Sequence, residues 1–299
     1  MKKRGLLIVL VVLFLFALSM SMSLVWKNNR RPTESKLMLT SARVGVVEIR
    51  GVILDVKETL EEIKTFRDDA SIKAIVLRIE SPGGGVGPSQ EIYQEIRQTI
   101  TKKPVVASMG GIAASGGYYV AAAANHIVAN PGTLTGSIGV IVRFSNFSGL
   151  FDKVGYEMVT LKSGQFKDIG NPGRKMTPEE EAITQKLIDE VHQQFIQDVV
   201  NGRNLPEDQV RPIADGRVLT GALAKQLGLV DELGNFRNAV KAAGRLAKIQ
   251  EEPKLVYPEK KKRTVADFLL GTEFTQQVSQ YVAESWHPLR YQAPFPISP

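Results

Sequence analysis

The sequence predicts an α/β protein whose mostly parallel strands are covered by helices. Short, β-branched apolar runs at 44–49, 72–79, 104–109 and 127–129 read as buried strands. Between them lie segments whose apolar residues recur at helical spacing. Two of the runs pass straight into glycine-rich turns, and the order strand, glycine turn, helix repeats along the chain. That order implies crossover units and a parallel sheet.

The elements follow in order. Residues 44–49 form a first strand closed by Gly51, and Thr59, Leu60, Ile63 and Phe66 mark a helix. The strand at 72–79 ends in Ser81-Pro82-Gly83-Gly84-Gly85-Val86. A helix at 88–101 carries Ile92, Ile96 and Ile100 on one face. The buried strand at 104–109 leads to the small-residue turn Gly110-Gly111-Ile112-Ala113-Ala114-Ser115-Gly116-Gly117, and a helix follows at 118–124. Further strands are expected at 127–129, 136–142 and 158–161. Thr177-Pro178-Glu179-Glu180 opens a long helix to about residue 201, with threonine as N-cap, proline at N1 and acids in the first turn. Shorter helices are expected at 219–227 and 236–246, and a strand at 255–257. An amphipathic stretch at 265–285 and a proline-rich end at 293–299 differ in texture from the rest.

Both glycine turns sit at the carboxyl ends of strands, where open α/β sheets bind ligands. Ser115 stands at a helix start among bare backbone N–H groups. Such a hydroxyl can attack a carbonyl while the N–H groups hold the oxyanion. The chain has three histidines, His126, His192 and His287, and none lies near Ser115 in sequence. The base is therefore expected to be a lysine. Nothing local separates Lys167 from Lys162 for that role, and Ser137 reads equally as an ordinary strand-end serine. Tyr118 and Tyr119 read as packing residues. The glycine loop lacks the G-x-x-x-x-G-K-[ST] pattern of a phosphate loop.

Composition narrows the classes. The 299 residues are 43% hydrophobic and carry a net charge of +7. Lys2, Lys3, Arg4, Lys27, Arg30 and Arg31, with no acid among the first 31 residues, account for nearly all of that excess. The basic balance therefore marks a membrane anchor and not a nucleic-acid surface. The absence of cysteine excludes disulfides, thiolate catalysis, cysteine zinc sites and a lipoprotein anchor. Residues 5–26 hold no charge, and at ~1.5 Å per residue they reach roughly 33 Å, enough for a bilayer core of about 30 Å. The basic residues before them favour a cytoplasmic N-terminus. A cleaved signal peptide is the rival reading, but Ala17-Leu18-Ser19 is a poor cleavage site inside the apolar run.

Five segments together resemble the signal peptide peptidase SppA family in its short, single-repeat form. They are the Ser81–Val86 loop, the turn from Ser108 through Ser115 to Ala121, Leu134-Thr135-Gly136-Ser137-Ile138-Gly139-Val140, Lys162-Ser163-Gly164-Gln165-Phe166-Lys167-Asp168-Ile169, and the run from Ala214-Asp215-Gly216-Arg217 to Gly234. The resemblance covers residues 44–245 in order. It implies the Clp protease/crotonase-like fold of repeated β-β-α units and a serine endopeptidase with a Ser/Lys dyad. Ser115 would be the nucleophile, Lys167 the general base, Ser137 its orienting partner, and Gly84 and Gly116 the oxyanion donors, with no cofactor or metal. A lysine base must be neutral, so its pKa has to fall from about 10.4 to near 7.

The resemblance further implies a ring-like homo-oligomer with sites built between neighbouring subunits. Its substrates would be cleaved signal peptides and other unfolded apolar peptides beside the membrane, with no nucleic acid involved. The expected organisation is a single-pass anchor at 1–31, a linker at 32–43, a protease domain at 44–252 outside the cytoplasm, and a C-terminal segment at 253–299 that matches no family motif. Another membrane-anchored Ser/Lys protease of this fold is the alternative. A crotonase-like acyl-CoA enzyme shares the fold, but lacks the anchor and the Ser/Lys pair.

Overall fold

The computed structural model describes residues 42–259 and 290–292. The apolar segment 5–26, most of the linker, the basic run 260–263, the amphipathic stretch 265–285 and residues 293–299 lie outside the described residues. Among the described residues, no helix is long and apolar enough to cross a membrane.

Strand β1 (Arg43–Arg50) leads to helix α1 (Lys57–Asp68), then β2 (Ile72–Ser81), the short β3 (Gly83–Gly85) and α2 (Val86–Thr99). β4 (Val105–Ala113) runs into α3 (Gly116–Ala122), followed by β5 (His126–Ala129) and β6 (Leu134–Gly136). Next come α4 (Ser148–Val154), the long α5 (Pro178–Arg203), α6 (Glu207–Val210), a 3₁₀ turn, β7 (Val218–Thr220), α7 (Gly221–Gln226), β8 (Glu232–Leu233), α8 (Phe236–Leu246) and β9 (Lys254–Val256). Residues Arg290–Gln292 form β10.

The sheet runs β7-β6-β4-β2-β1-β9, with β5 beside β4 and β8 beside β5. All pairs are parallel except β6 with β7. Strand β4 forks: Val106 to Met109 pair with β5, while Ile112 beyond them pairs with β6. The expected α/β architecture is present.

Period-two alternation sends side chains to two cores. Ile75, Leu77 and Ile79 of β2, with Val105, Ala107 and Met109 of β4, face α1, α2, α3 and α5. Ala74, Val76, Val106 and Val128 face the other way, onto Ala239, Val240, Ala242 and Ala243 of α8. Each fully buried large aliphatic side chain contributes about 1.5–3 kcal/mol. These strands therefore read as continuous apolar runs because both faces are covered.

Helix α5 begins where the sequence places it. Thr177 accepts from the Glu180 N–H, and the Glu180 carboxylate accepts from the Thr177 N–H, closing a capping box. Three expectations need correction. The strand expected at 136–142 is β6 and ends at Gly136, because Gly136 and Ser137 take positive φ in succession, 69° and 51°. Residues 158–161 form no strand: Met158, Val159 and Leu161 are exposed, with Leu161 at 94%, and among the described residues no strand pairs with them. The helix expected at 219–227 is split, with β7 taking Val218–Thr220 and the Thr220 side chain capping α7.

Candidate active site

Three backbone segments meet at the carboxyl ends of β2 and β4. Ser115 lies between β4 and α3 with φ 54° and ψ −117°. That conformation is sparsely populated for any residue with a Cβ and costs on the order of 1–3 kcal/mol. A strained strand-to-helix corner of this kind is how a nucleophilic serine is lifted out of a sheet. The Ser115 side chain is buried, and among the described residues its Oγ has no hydrogen-bond partner.

The corner is clamped from both sides. The Ala114 N–H donates to Ser81 O at 3.1 Å, and the Ser115 N–H donates to Gly136 O at 2.8 Å. The second bond places Ser137 in the segment next to Ser115. Ser137 is itself held, its N–H donating to Arg217 O at 2.8 Å. The Gly216 N–H donates to Ile138 O at 3.1 Å, so the Ala214–Arg217 motif braces the Ser137 turn from behind.

Glycines allow this approach. A Cβ on Gly116 would stand 2.6 Å from Ser89 Oγ and 3.1 Å from the Gly84 nitrogen. A Cβ on Gly84 would stand 2.1 Å from Ile53 O. Gly84 and Gly116 are therefore brought together beside Ser115. The Gly116 N–H opens α3, where no intrahelical carbonyl precedes it. Two N–H groups flanking a serine hydroxyl make the arrangement that stabilises an acyl oxyanion. Ser89, which sequence reading missed, supports the loop by donating from Oγ to Gly85 O at 2.8 Å.

Lys167 is exposed. It sits on the exposed stretch between α4 and α5, and no hydrogen bond joins it to Ser115. Its neighbour Lys162 is committed elsewhere, in an ion pair with Asp168. Arg174 also binds Asp168 through Nε at 3.2 Å, and it grips Glu180 with two bonds of 2.7 and 2.5 Å. These partners, Arg174 foremost, hold the Asp168 carboxyl well below the usual carboxylate range and lower that of Glu180 to about 2. Among the described residues Lys167 forms no ion pair, so the two lysines that sequence could not separate differ in their surroundings.

The two tyrosines after the turn pack. Tyr118 is fully buried and donates to Leu229 O at 3.0 Å. Tyr119 lies between the rings of Tyr93 and Phe195, at 5.1 and 4.8 Å. His126 faces Asp231 and Glu232. Among the described residues, no cluster of His, Cys, Asp and Glu could hold a metal ion.

Comparison with known proteins adds the family. Residues 97–250 match the model of Peptidase family S49, and residues 37–132 match that of Clp protease. A Synechocystis sp. protein named "Putative protease slr0021" is 41% identical over 266 residues, 84% of this chain and 96% of the relative. "Serine protease SPPA, chloroplastic" of Arabidopsis thaliana is 36% identical over 72% of this chain, and "Protease 4" of Salmonella typhi is 38% identical over 71%. The match spans 32% and 36% of those two longer proteins. With a Clp protease-like α/β domain, a serine at a strained corner and these relatives, the chain belongs to peptidase family S49 and is a serine peptidase of the SppA type.

Proposed function

We propose that Ser115 is the nucleophile, Lys167 the general base and Ser137 the residue that orients it, with the Gly84 and Gly116 N–H groups forming the oxyanion hole. The observation that carries this reading is the strained Ser115 corner, with its partnerless hydroxyl beside two glycine amides. In the reaction Ser115 Oγ bonds to the peptide carbonyl carbon and its proton passes to the Lys167 amine. The charged oxygen rests on the two N–H groups, and the leaving amine takes the proton back. Water then repeats the sequence on the acyl-enzyme and regenerates the serine.

Within a single chain no hydrogen bond joins Lys167 to Ser115. On the same stretch of sequence the apolar side chains of Phe144, Phe147, Leu150, Val154, Val159 and Leu161 are exposed and suited to burial against another copy. On this reading the chain is a homo-oligomer, and Lys167 of one subunit serves Ser115 of its neighbour. Residues 1–31 anchor the protease domain, residues 44–252, to the cell membrane with its catalytic face outside the cytoplasm. Its substrates are unfolded apolar peptides, cleaved signal peptides among them, which lie extended along a strand edge.

Ser115→Ala and Lys167→Ala chains each lose peptide hydrolysis, while Lys162→Ala retains it. Co-assembly of the two inactive chains restores hydrolysis, because some sites then pair an intact serine with an intact lysine. A fluorophosphonate labels Ser115. Labelling of a different serine, or full activity in the Lys167→Ala chain, overturns the assignment.

A further inference from the structure

We propose that Glu80 is a positioning residue for Ser115, acting through the backbone of β4. The inference rests on the protease reading of the site and deepens it. It begins with a mismatch between two strands. From Ile75 opposite Val105 to Ile79 opposite Met109, β2 and β4 advance residue for residue, but the next pair is Ser81 with Ala113. Two steps along β2 therefore span four along β4. Such a bulge interrupts the ladder and leaves its extra residues to find other partners.

Glu80 is the β2 residue that the pairing skips, and its half-buried carboxylate fills the gap. Oε1 accepts from the Gly111 N–H at 2.9 Å and from the Ile112 N–H at 3.0 Å, and Oε2 accepts from Gly111 at 3.0 Å. Arg78 pairs with Oε2 at 3.8 Å and donates to Ser108 Oγ at 3.1 Å, a second tie from β2 to β4. Side chains also take up the carbonyls of the bulge. Thr133 Oγ1 donates to Gly110 O, and Thr135 Oγ1 to Ala113 O, both at 2.7 Å. Gly110 and Gly111 make room for the carboxylate. A Cβ on Gly110 would stand 1.7 Å from Oε2, and one on Gly111 3.0 Å from Oε1.

The bulge ends where the serine corner begins. Ala113 is back in register with Ser81, the Ala114 N–H donates to Ser81 O, and Ser115 follows. The Gly84 amide is carried on the loop after β2, so a shift of the bulge moves the serine relative to that amide. Ionised acceptors hold backbone N–H groups more firmly than neutral ones. A carboxylate therefore suits a segment that must keep a strained corner in place. The Ser115 hydroxyl makes no bond to Glu80, and the effect passes through Gly111 and Ile112.

Glu80→Met in the full chain tests this, because it keeps the length of the side chain and removes both acceptors. Expected is a fall in kcat, counted per folded chain, of about 10²-fold, the scale of a misplacement of roughly 1 Å at a reacting centre. KM stays within about threefold, because no group that binds peptide is lost. Glu80→Gln recovers at least about tenfold of that loss, since its amide oxygen can accept from both N–H groups as Oε1 does. Amide hydrogen exchange at Gly111 and Ile112 becomes about tenfold faster in the Met chain, the scale of one lost hydrogen bond, and much less so in the Gln chain. Parent-like kcat or unchanged exchange in the Met chain, or a Gln chain as slow as the Met chain, overturns the proposal. If the Met chain does not fold, Gly110→Ala takes its place, because its Cβ displaces the carboxylate. The same fall in kcat at steady KM is then expected, and an unchanged kcat overturns the proposal. If exchange rises as expected while the parent chain neither hydrolyses peptide nor is labelled at Ser115, Glu80 holds the bulge as described and it is the protease reading that fails.

Discussion

The backbone N–H of Ser115 donates to the carbonyl of Gly136 at 2.8 Å, which ties the strained serine corner to the turn carrying Ser137. The two serines are far apart in sequence, yet each has positive φ, 54° and 51°. The site is thus built from two unfavourable backbone conformations that brace each other. Such strain can be measured as stability.

Ser115→Gly removes the Cβ that makes φ 54° costly. The expected outcome is complete loss of hydrolysis together with a gain of about 1 kcal/mol, or roughly 2–4 °C in Tm. Thermal unfolding of the two chains checks it. A variant less stable than the parent would mean that the corner is not strained.

Gly116→Ala places a methyl group 2.6 Å from Ser89 Oγ and 3.1 Å from the Gly84 nitrogen. Pushing Gly84 aside spoils one of the two proposed oxyanion donors. Loss of one such donor costs about 10²–10³ in kcat. Steady-state kinetics on a chain that keeps its far-UV spectrum gives the number, and a loss below tenfold would exclude Gly84 from the oxyanion hole.

Burial, aided by Glu58 and Glu48, raises the Glu62 carboxyl to about 7. The folded chain therefore holds a proton that the unfolded chain releases near 4.5. Stability falls as pH rises between those values, and the penalty is complete above 7. Glu62→Gln should stabilise the protein at pH 8 and leave it unchanged at pH 4. Discounted for solvent screening, the gain is about 1 kcal/mol. Denaturant melts at the two pH values decide the matter.

Asp168 and Glu180 titrate in the opposite sense. Both are depressed, chiefly by Arg174, so their stabilisation is full above the ordinary carboxylate range and is lost as pH falls toward 2. The segment bearing Lys167 should resist limited proteolysis at pH 6 and become cleavable in acid. Arg174→Gln should make it cleavable at pH 6 as well. Equal resistance in both chains would show that this network does not hold the segment.

Local chemistry made much of this legible in sequence. The β-branched runs, the Thr177 cap and the glycine turns each act through neighbours a few residues away, and each is found where expected. Gly84, Gly116 and Ser137 meet around Ser115 because strand ends converge in a parallel sheet. What escaped sequence reading depends on distant partners. The apolar run at 158–161 has strand character but, among the described residues, no strand to pair with. The run after Gly136 is apolar too, but two left-handed residues end its ladder. The pairing of Tyr291 with Gly84 joins the C-terminal segment to the first glycine loop, and no local pattern announces it.

The exposed position of Lys167 has a consequence for the life of the protein. If Lys167 serves Ser115 of a neighbouring copy, as proposed, a newly made single chain is harmless. On the proposed assignment chemistry switches on only where copies have accumulated, and latency is then a property of the single chain.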